Sequence, residues 1–282
     1  MPILPKTQFK PGLSADSKND QPKSPERVPG KPANQVSAKK QPAQPSIFDL
    51  INSKDLNEIK LLLAAQPKLI ESTDSTGNTP LSYACKIDSA EYASFFLDNG
   101  ALVNVRNKAG MGPLHFACFN KNKPLVKKLL DKSANREADD SEGRTPLNCV
   151  LLSVIEKPCK EESMIEIIQT LIDAGADVNS RAKNGWTAMH RAASEGWIKV
   201  TEFLLSKKAR LDSRTEKGET PLFVACMMGK LAMLHFLLKK GSDYNIQNFW
   251  KMTPLRWAKS FGKQEIVKII WEAEAGGKRN IL

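Results

Sequence analysis

Histidine is scarce in this chain, three residues in 282, and the five cysteines make an odd set. His115 and Cys118 stand three apart, but no second pair with ligand spacing follows, so a tetrahedral metal site is not expected. The sequence also lacks a glycine-rich phosphate loop, a nucleophile elbow, a kinase signature and a facing pair of catalytic carboxylates. These absences predict a chain that is not an enzyme, with no catalytic residue, no cofactor and no bound metal. No apolar run reaches the roughly 18 residues that a membrane span needs. The opening Met1-Pro2-Ile3-Leu4-Pro5-Lys6 lacks the apolar centre of a secretory signal.

What is abundant is one phrase. Thr79-Pro80-Leu81, Thr145-Pro146-Leu147, Thr220-Pro221-Leu222 and Thr253-Pro254-Leu255 are near-copies, with degraded versions at Gly112-Pro113-Leu114-His115 and Thr187-Ala188-Met189-His190. Measured at the second residue, the copies are spaced by 33, 33, 42, 33 and 33 residues, one module repeated with a nine-residue insertion. A fixed period of this size marks a solenoid.

Each copy has the chemistry of a helix start. Threonine can cap free backbone N–H groups, and proline at the first helical position gives up a donor that would have no partner there. Leucine follows, and three positions on comes a small residue (Ala84, Ala117, Val150, Ala192, Ala225, Ala258) that allows close approach of neighbouring helices. Two residues before the cap lies Gly77, Gly110, Gly143, Gly185 or Gly218, suited to a tight turn with positive φ; the last copy has Lys251 instead. A second helix ends each time in an apolar pair such as Phe96-Leu97 or Leu204-Leu205, followed by a stop such as Asn99-Gly100 or Ala174-Gly175.

The pattern resembles the ankyrin repeat, whose consensus runs G-x-T-P-L-H-x-A-A, then V-x-L-L-L, then G-A-D-V-N. Six copies in phase carry the resemblance from Asp74 to about Ala273. It implies an all-α solenoid of helix-turn-helix units with projecting β-turn or hairpin fingers. Departures at Gly112, Ala188, Met189 and Arg136-Glu137 weaken individual units. The expected units are a cap at 46–73, then 74–106, 107–139, 140–181 with the insertion, 182–214, 215–247 and 248–275. Residues 276–282 are expected to form a frayed end. The cap is read from Ile47, Leu50, Ile51, Leu56, Ile59, Leu62 and Leu63 at helical spacing. The insertion, within 151–163, is expected to lengthen the first helix of its unit or to bulge as a loop.

Residues 1–45 are different material. They hold nine of the 17 prolines and Phe9 as the sole aromatic, with seven lysines and Arg27 against Asp16, Asp20 and Glu26, a net +5. Such a stretch cannot bury enough apolar area to offset its ordering entropy and is expected to be a disordered basic arm. The rest carries 11 − 5 = +6. Lysine pairs at 127–128, 207–208 and 239–240 close second helices, where cations suit the helix dipole. Cys85, Cys118 and Cys226 recur at one repeat position, which indicates packing rather than disulfides and an intracellular, reducing setting. His115 and His190 occupy the histidine slot of the phrase, which the resemblance assigns to backbone hydrogen bonds.

The resemblance implies a scaffold or adaptor that binds a protein partner through a concave groove and the finger tips, as a monomer. The positions free to vary there are unusually aromatic, methionine-rich and arginine-rich, side chains that dominate interface energies or adapt to a partner. The expected contact residues are Trp186, Arg191, Met227, Met228, Phe249, Trp250, Arg256 and Trp257, with Tyr83, Phe116, Phe119, Met111 and Arg144. A second reading has the basic arm binding nucleic acid or an anionic membrane surface; with Phe9 its sole aromatic, base stacking has little support and a nucleic-acid partner is not expected. A third is an effector that an intracellular bacterium directs at its host, again through protein binding.

Overall fold

The computed structural model describes residues 45–152 and 160–279, and these described residues belong to one compact unit. The expected arm lies outside the described residues. Among the described residues there are fourteen α-helices, one 3-10 helix and no strand. The helices pair into an N-terminal cap, α1 (Ile47–Ser53) with α2 (Leu56–Ala65), and six repeat units numbered from the one after it: α3 (Pro80–Lys86) with α4 (Ala90–Asp98), α5 (Pro113–Phe119) with α6 (Lys123–Asp131), α7 (Pro146–Val150) with α8 (Glu161–Asp173), α9 (Ala188–Glu195) with α10 (Ile198–Ser206), α11 (Pro221–Met227) with α12 (Leu231–Lys239), and α13 (Pro254–Ser260) with α14 (Gln264–Arg279). In the cap, Pro67–Glu71 adds a 3-10 turn.

Most of the first helices have seven residues, too few to persist alone in water. They are held by burial. Leu81, Leu147 and Leu222 and all six small residues after them are fully enclosed; sealing one such leucine from water is worth about 2 kcal/mol. Threonine caps as expected at Thr79, Thr220 and Thr253, accepting from the N–H three residues on. Thr145 and Thr187 do not: Thr145 bonds Ser180 at 3.0 Å and Thr187 bonds His190 Nδ1 at 2.9 Å.

The fingers are the turns between units, and each closes by the same two bonds. In the second finger the Asn107 N–H donates to the Met111 carbonyl at 3.0 Å and the Gly110 N–H to the Asn107 carbonyl at 2.9 Å. The glycine there has φ +73°, and Lys251 takes φ +56° at the glycine-less last finger. Neighbouring fingers are joined by a single backbone bond, from Lys108 to Thr76, Ser141 to Ala109, Lys183 to Glu142, Glu216 to Asn184 and Phe249 to Lys217, all 2.8–3.0 Å. This ladder sets the six fingers side by side at one repeat's spacing.

Two expectations are corrected. Of the two forms expected for the insertion, a longer first helix is overturned, since α7 has only five residues, and it is the second helix, α8, that runs to 13 residues where α4, α6, α10 and α12 have nine; the loop form falls on residues 153–159. Met164, Ile167, Ile168 and Leu171 supply the reason for the longer α8, because they recur at helical spacing and are all buried. Residues 153–159 of the insertion lie outside the described residues. At the other end, α14 continues to Arg279, through Gly276-Gly277 where a frayed end was expected. Its Ile266, Val267, Ile269 and Ile270 are buried against the preceding unit, which anchors the first turns.

Candidate protein-interaction site

Five of the six fingers are built on a side-chain acceptor at their first residue. Asp74, Asn107, Asp140, Thr215 and Asn248 each accept from the backbone N–H groups two and four residues on, at 2.8–3.2 Å. Sequence reasoning missed these residues, although they share the 33-residue spacing and Asp and Asn commonly close turns this way. The exception is the fourth finger, where Ala182 has no acceptor; there Asn184 Oδ1 takes the Trp186 N–H at 3.1 Å.

That finger borders a concavity. A cleft of about 110 Å³ opens between the third and fourth units, lined by Arg144, Asn148 and Leu152 on one side and by Asn184, Trp186 and Arg191 on the other. The first helices pack closely in order from α1 to α7 and again from α9 to α13, but no comparably close packing joins α7 to α9. Within the cleft the Arg191 guanidinium lies over the Trp186 ring, 4.9 Å from its centroid. Arg144 is committed: it reaches the buried Asp140 carboxylate with Nη2 at 2.6 Å and Nε at 2.7 Å. Burial holds the Arg191 guanidinium below its ordinary pKa; Glu195 opposes that shift and Arg144 adds to it.

His190 fixes the inner wall. It is fully buried, its Nδ1 accepts the Thr187 N–H at 3.2 Å, and its Nε2 faces the Glu219 carbonyl of the next finger at 3.1 Å. A backbone N–H can only donate, so Nδ1 carries the lone pair and Nε2 the proton. Desolvation pushes the His190 pKa down to about 4. His115 repeats the arrangement, accepting from Gly112 at 3.1 Å and meeting the Ala138 carbonyl at 2.9 Å. Both histidines tie one unit to the next, as the family resemblance implied.

The other expected contact residues are distributed along the units. Tyr83 is half-buried, donates to Asn52 Oδ1 at 2.8 Å and stacks edge-on against Phe48, which ties it to the cap. Met111, Phe119 and Met227 are half-buried, and Met228 is 46% exposed. Trp257 is half-buried between Phe223 and Phe261, at ring distances of 6.4 and 4.9 Å. Arg256 is exposed, as are Phe249 and Trp250, at 70% and 62%, on the last finger and apart from the Trp257 stack. Phe116 departs from the expectation. It is 7% exposed within the core cluster, so it packs between units and presents almost nothing to a partner. Thus the structure brings Arg144, Trp186 and Arg191 together, and the remaining residues are strung out singly or in small groups. Among the described residues no group of three or more His, Cys, Asp or Glu side chains could hold a metal ion, and no helix is long and apolar enough to cross a membrane.

Comparison with known proteins agrees with this architecture. A family model of ankyrin repeats in three copies matches residues 47–140, 93–153 and 158–248. The chain belongs to the ankyrin repeat family, whose repeats generally mediate protein–protein interaction. It is 30% identical over 142 residues to the probable 26S proteasome regulatory subunit p28 of Saccharomyces cerevisiae, a match covering 49% of this chain and 59% of that protein. It is 33% identical over 122 residues to SH3 and multiple ankyrin repeat domains protein 2 of Homo sapiens, covering 43% of this chain and 6% of the other. A third relative, transient receptor potential cation channel subfamily A member 1 of Homo sapiens, is 32% identical over 130 residues, 46% of this chain and 11% of the channel. The chain spans less than two thirds of the length of each of these relatives.

Proposed function

We propose that this chain is a non-enzymatic adaptor that holds a protein partner against its fingers and first helices. The observation that carries the reading is the Trp186–Arg191 pair. An indole and a guanidinium stacked on each other line an open cleft, although the same residues could have been spent on small scaffold side chains as at other repeat positions. Such side chains dominate binding energies when a partner covers them. Met228, Trp257 and Arg256 extend the same kind of surface into the last two units. A protein partner is favoured over nucleic acid because the groove residues are aromatic and apolar as much as basic, whereas phosphate recognition rests on many cations. Cys85, Cys118, Cys149 and Cys226 are free and buried, which fits action in a reducing, intracellular setting.

The test is affinity capture from cell lysate with the full chain and with its Trp186→Ala, Arg191→Ala variant. Loss of a captured protein, with an unfolding midpoint within a few degrees of the parent, supports the groove. A third sample replaces the seven arm lysines by glutamine and leaves the length unchanged. Capture that disappears only in that sample, or that falls steeply with salt, transfers the function to the arm and retires this proposal.

A further inference from the structure

Arg191 is a half-buried cation whose nearest favourable charge, Glu195 one turn further along α9, acts on it without forming an ion pair. No carboxylate forms an ion pair with it among the described residues, whereas its neighbour Arg144 has Asp140 at 2.6 Å. Asp140 itself has no capacity to spare: Oδ1 takes the N–H groups of Glu142 and Arg144, and Oδ2 takes the Arg144 guanidinium. The Trp186 ring lies against the guanidinium, and among the described residues no side-chain N–H of Arg191 is taken up by a hydrogen bond, so its donors are free where the side chain lines the cleft. Asn184 lines the same space; with its Oδ1 accepting from Trp186, its amide NH2 remains a donor. An opening of about 110 Å³ is several times the ~30 Å³ share of one water, enough for the end of a side chain and too small for a folded element.

These features define the complement. An arginine guanidinium supported by an aromatic ring presents a planar fork that matches a carboxylate in bidentate fashion. A phosphate dianion would call for a second uncommitted cation, and Arg144 is already neutralised by Asp140; Glu142 on the cleft rim would oppose the extra charge.

Building on the adaptor reading, we propose that the cleft between the third and fourth units receives an Asp or Glu side chain from an extended segment of the partner, gripped by Arg191 stacked on Trp186. The cleft is then a specificity pocket, and the apolar positions along the neighbouring units hold the rest of the segment.

An array of random twelve-residue peptides, amidated at the C-terminus, tests this with the full chain as probe. The parent is expected to select peptides with an acidic residue at one fixed position. Changing that residue to Asn or Gln weakens binding to the parent roughly ten- to a hundredfold. In the R191Q chain the same change costs less than about threefold, because the partner of the carboxylate is gone. R191K, which keeps the charge and loses the fork, falls between and serves if R191Q does not fold. Several results overturn the assignment: selected peptides with no fixed acidic position, an acidic residue whose replacement matters equally in R191Q, or binding that appears only with free C-terminal carboxylates. Neutral peptides whose capture still depends on Trp186 would sink the carboxylate and leave the adaptor reading standing. If no peptide is bound in a way that depends on Trp186, Arg191 or Met228, both fail.

Discussion

Lowering the pH should loosen the fourth and fifth units through His190, and the size of the effect follows from its surroundings. The ring is fully buried, accepts the Thr187 N–H at Nδ1 and donates from Nε2 to the Glu219 carbonyl. Protonation would put a second N–H at Nδ1, facing the Thr187 N–H, and would place a charge in the core beside the unfavourable field of Arg181. The pKa therefore falls from 6.5 to about 4. A folded-state pKa below the unfolded one means that the unfolded chain binds the extra proton, so stability is fully present above pH 6.5 and is lost as the pH falls towards 4. At about 1.36 kcal/mol per unit the whole window is worth about 3 kcal/mol, of which about 2 kcal/mol is gone by pH 5. The comparison is with His190→Gln, whose amide can still donate to Glu219 and does not titrate. Urea unfolding followed by circular dichroism at pH 7.5, 6.5, 5.5 and 5.0 should show the parent losing about 2 kcal/mol relative to the variant. All other titrating groups, His115 included, are common to both chains and cancel. A difference independent of pH, or an NMR titration placing His190 near 6.5, would refute the argument.

Two glycines with the same backbone conformation should respond differently to alanine. Gly241 has φ +89° and open space around it, so Gly241→Ala should cost only the left-handed penalty, roughly 1–2 kcal/mol. Gly185 has φ +77°, but a Cβ there would lie 2.5 Å from the Glu216 nitrogen, which donates to Asn184 in the finger ladder. Gly185→Ala should lose at least about twice as much by urea midpoint, and equal losses would show that the ladder does not constrain the finger. The cysteines make a second check. Burial raises the pKa of Cys149 and Cys226 to about 12 and that of Cys85 and Cys118 as well, so the nucleophilic thiolate is suppressed. Iodoacetamide at pH 8 should leave these four unlabelled in the native chain and label them in denaturant, as peptide mass mapping would read; native labelling of any of them contradicts its enclosure.

The fold was legible because its signals are local and repeated. Thr-Pro-Leu sets a helix start, glycine sets a turn, and one spacing stacks the copies. The site was legible only as a set of positions. Trp186 and Arg191 stood where a variable side chain would face outward, and their stacking follows from being neighbours across finger and helix. Exposure at the other positions depends on what the adjacent unit brings. Phe116 occupies the same repeat position as Arg191 and is enclosed, while Asn78 and Glu219 occupy the same position as Trp186 and are buried too. Asn78 is taken up by bonds to Asp74 and from Asn107 at 2.8–2.9 Å. The second of these joins residues about 30 apart, and no pattern within one copy reveals it. The helix at the C-terminal end was misjudged because Gly276-Gly277 reads locally as a stop, whereas the buried isoleucines upstream hold the helix in place.

Departures from the repeat first look like damage, yet three of them meet at one place. In the unit that carries the insertion α7 is only five residues long, and among the described residues it is not packed closely on α9. Ala182 removes the acceptor that builds the other fingers, so Asn184 takes over and is drawn to the cleft. Ala188 replaces the helix-start proline directly after Thr187, whose hydroxyl bonds His190 instead of capping α9. A stack of identical units would offer a partner one surface at every step, with nothing to fix its register. Where scaffold bonds are given up, the side chains released from holding the fold become available to hold something else. Arg191 combines a half-buried charge, an aromatic support and a place on the wall of a cleft. The irregular junction between the third and fourth units is therefore where recognition can be specific, while the regular units on either side supply the stiffness that keeps its geometry.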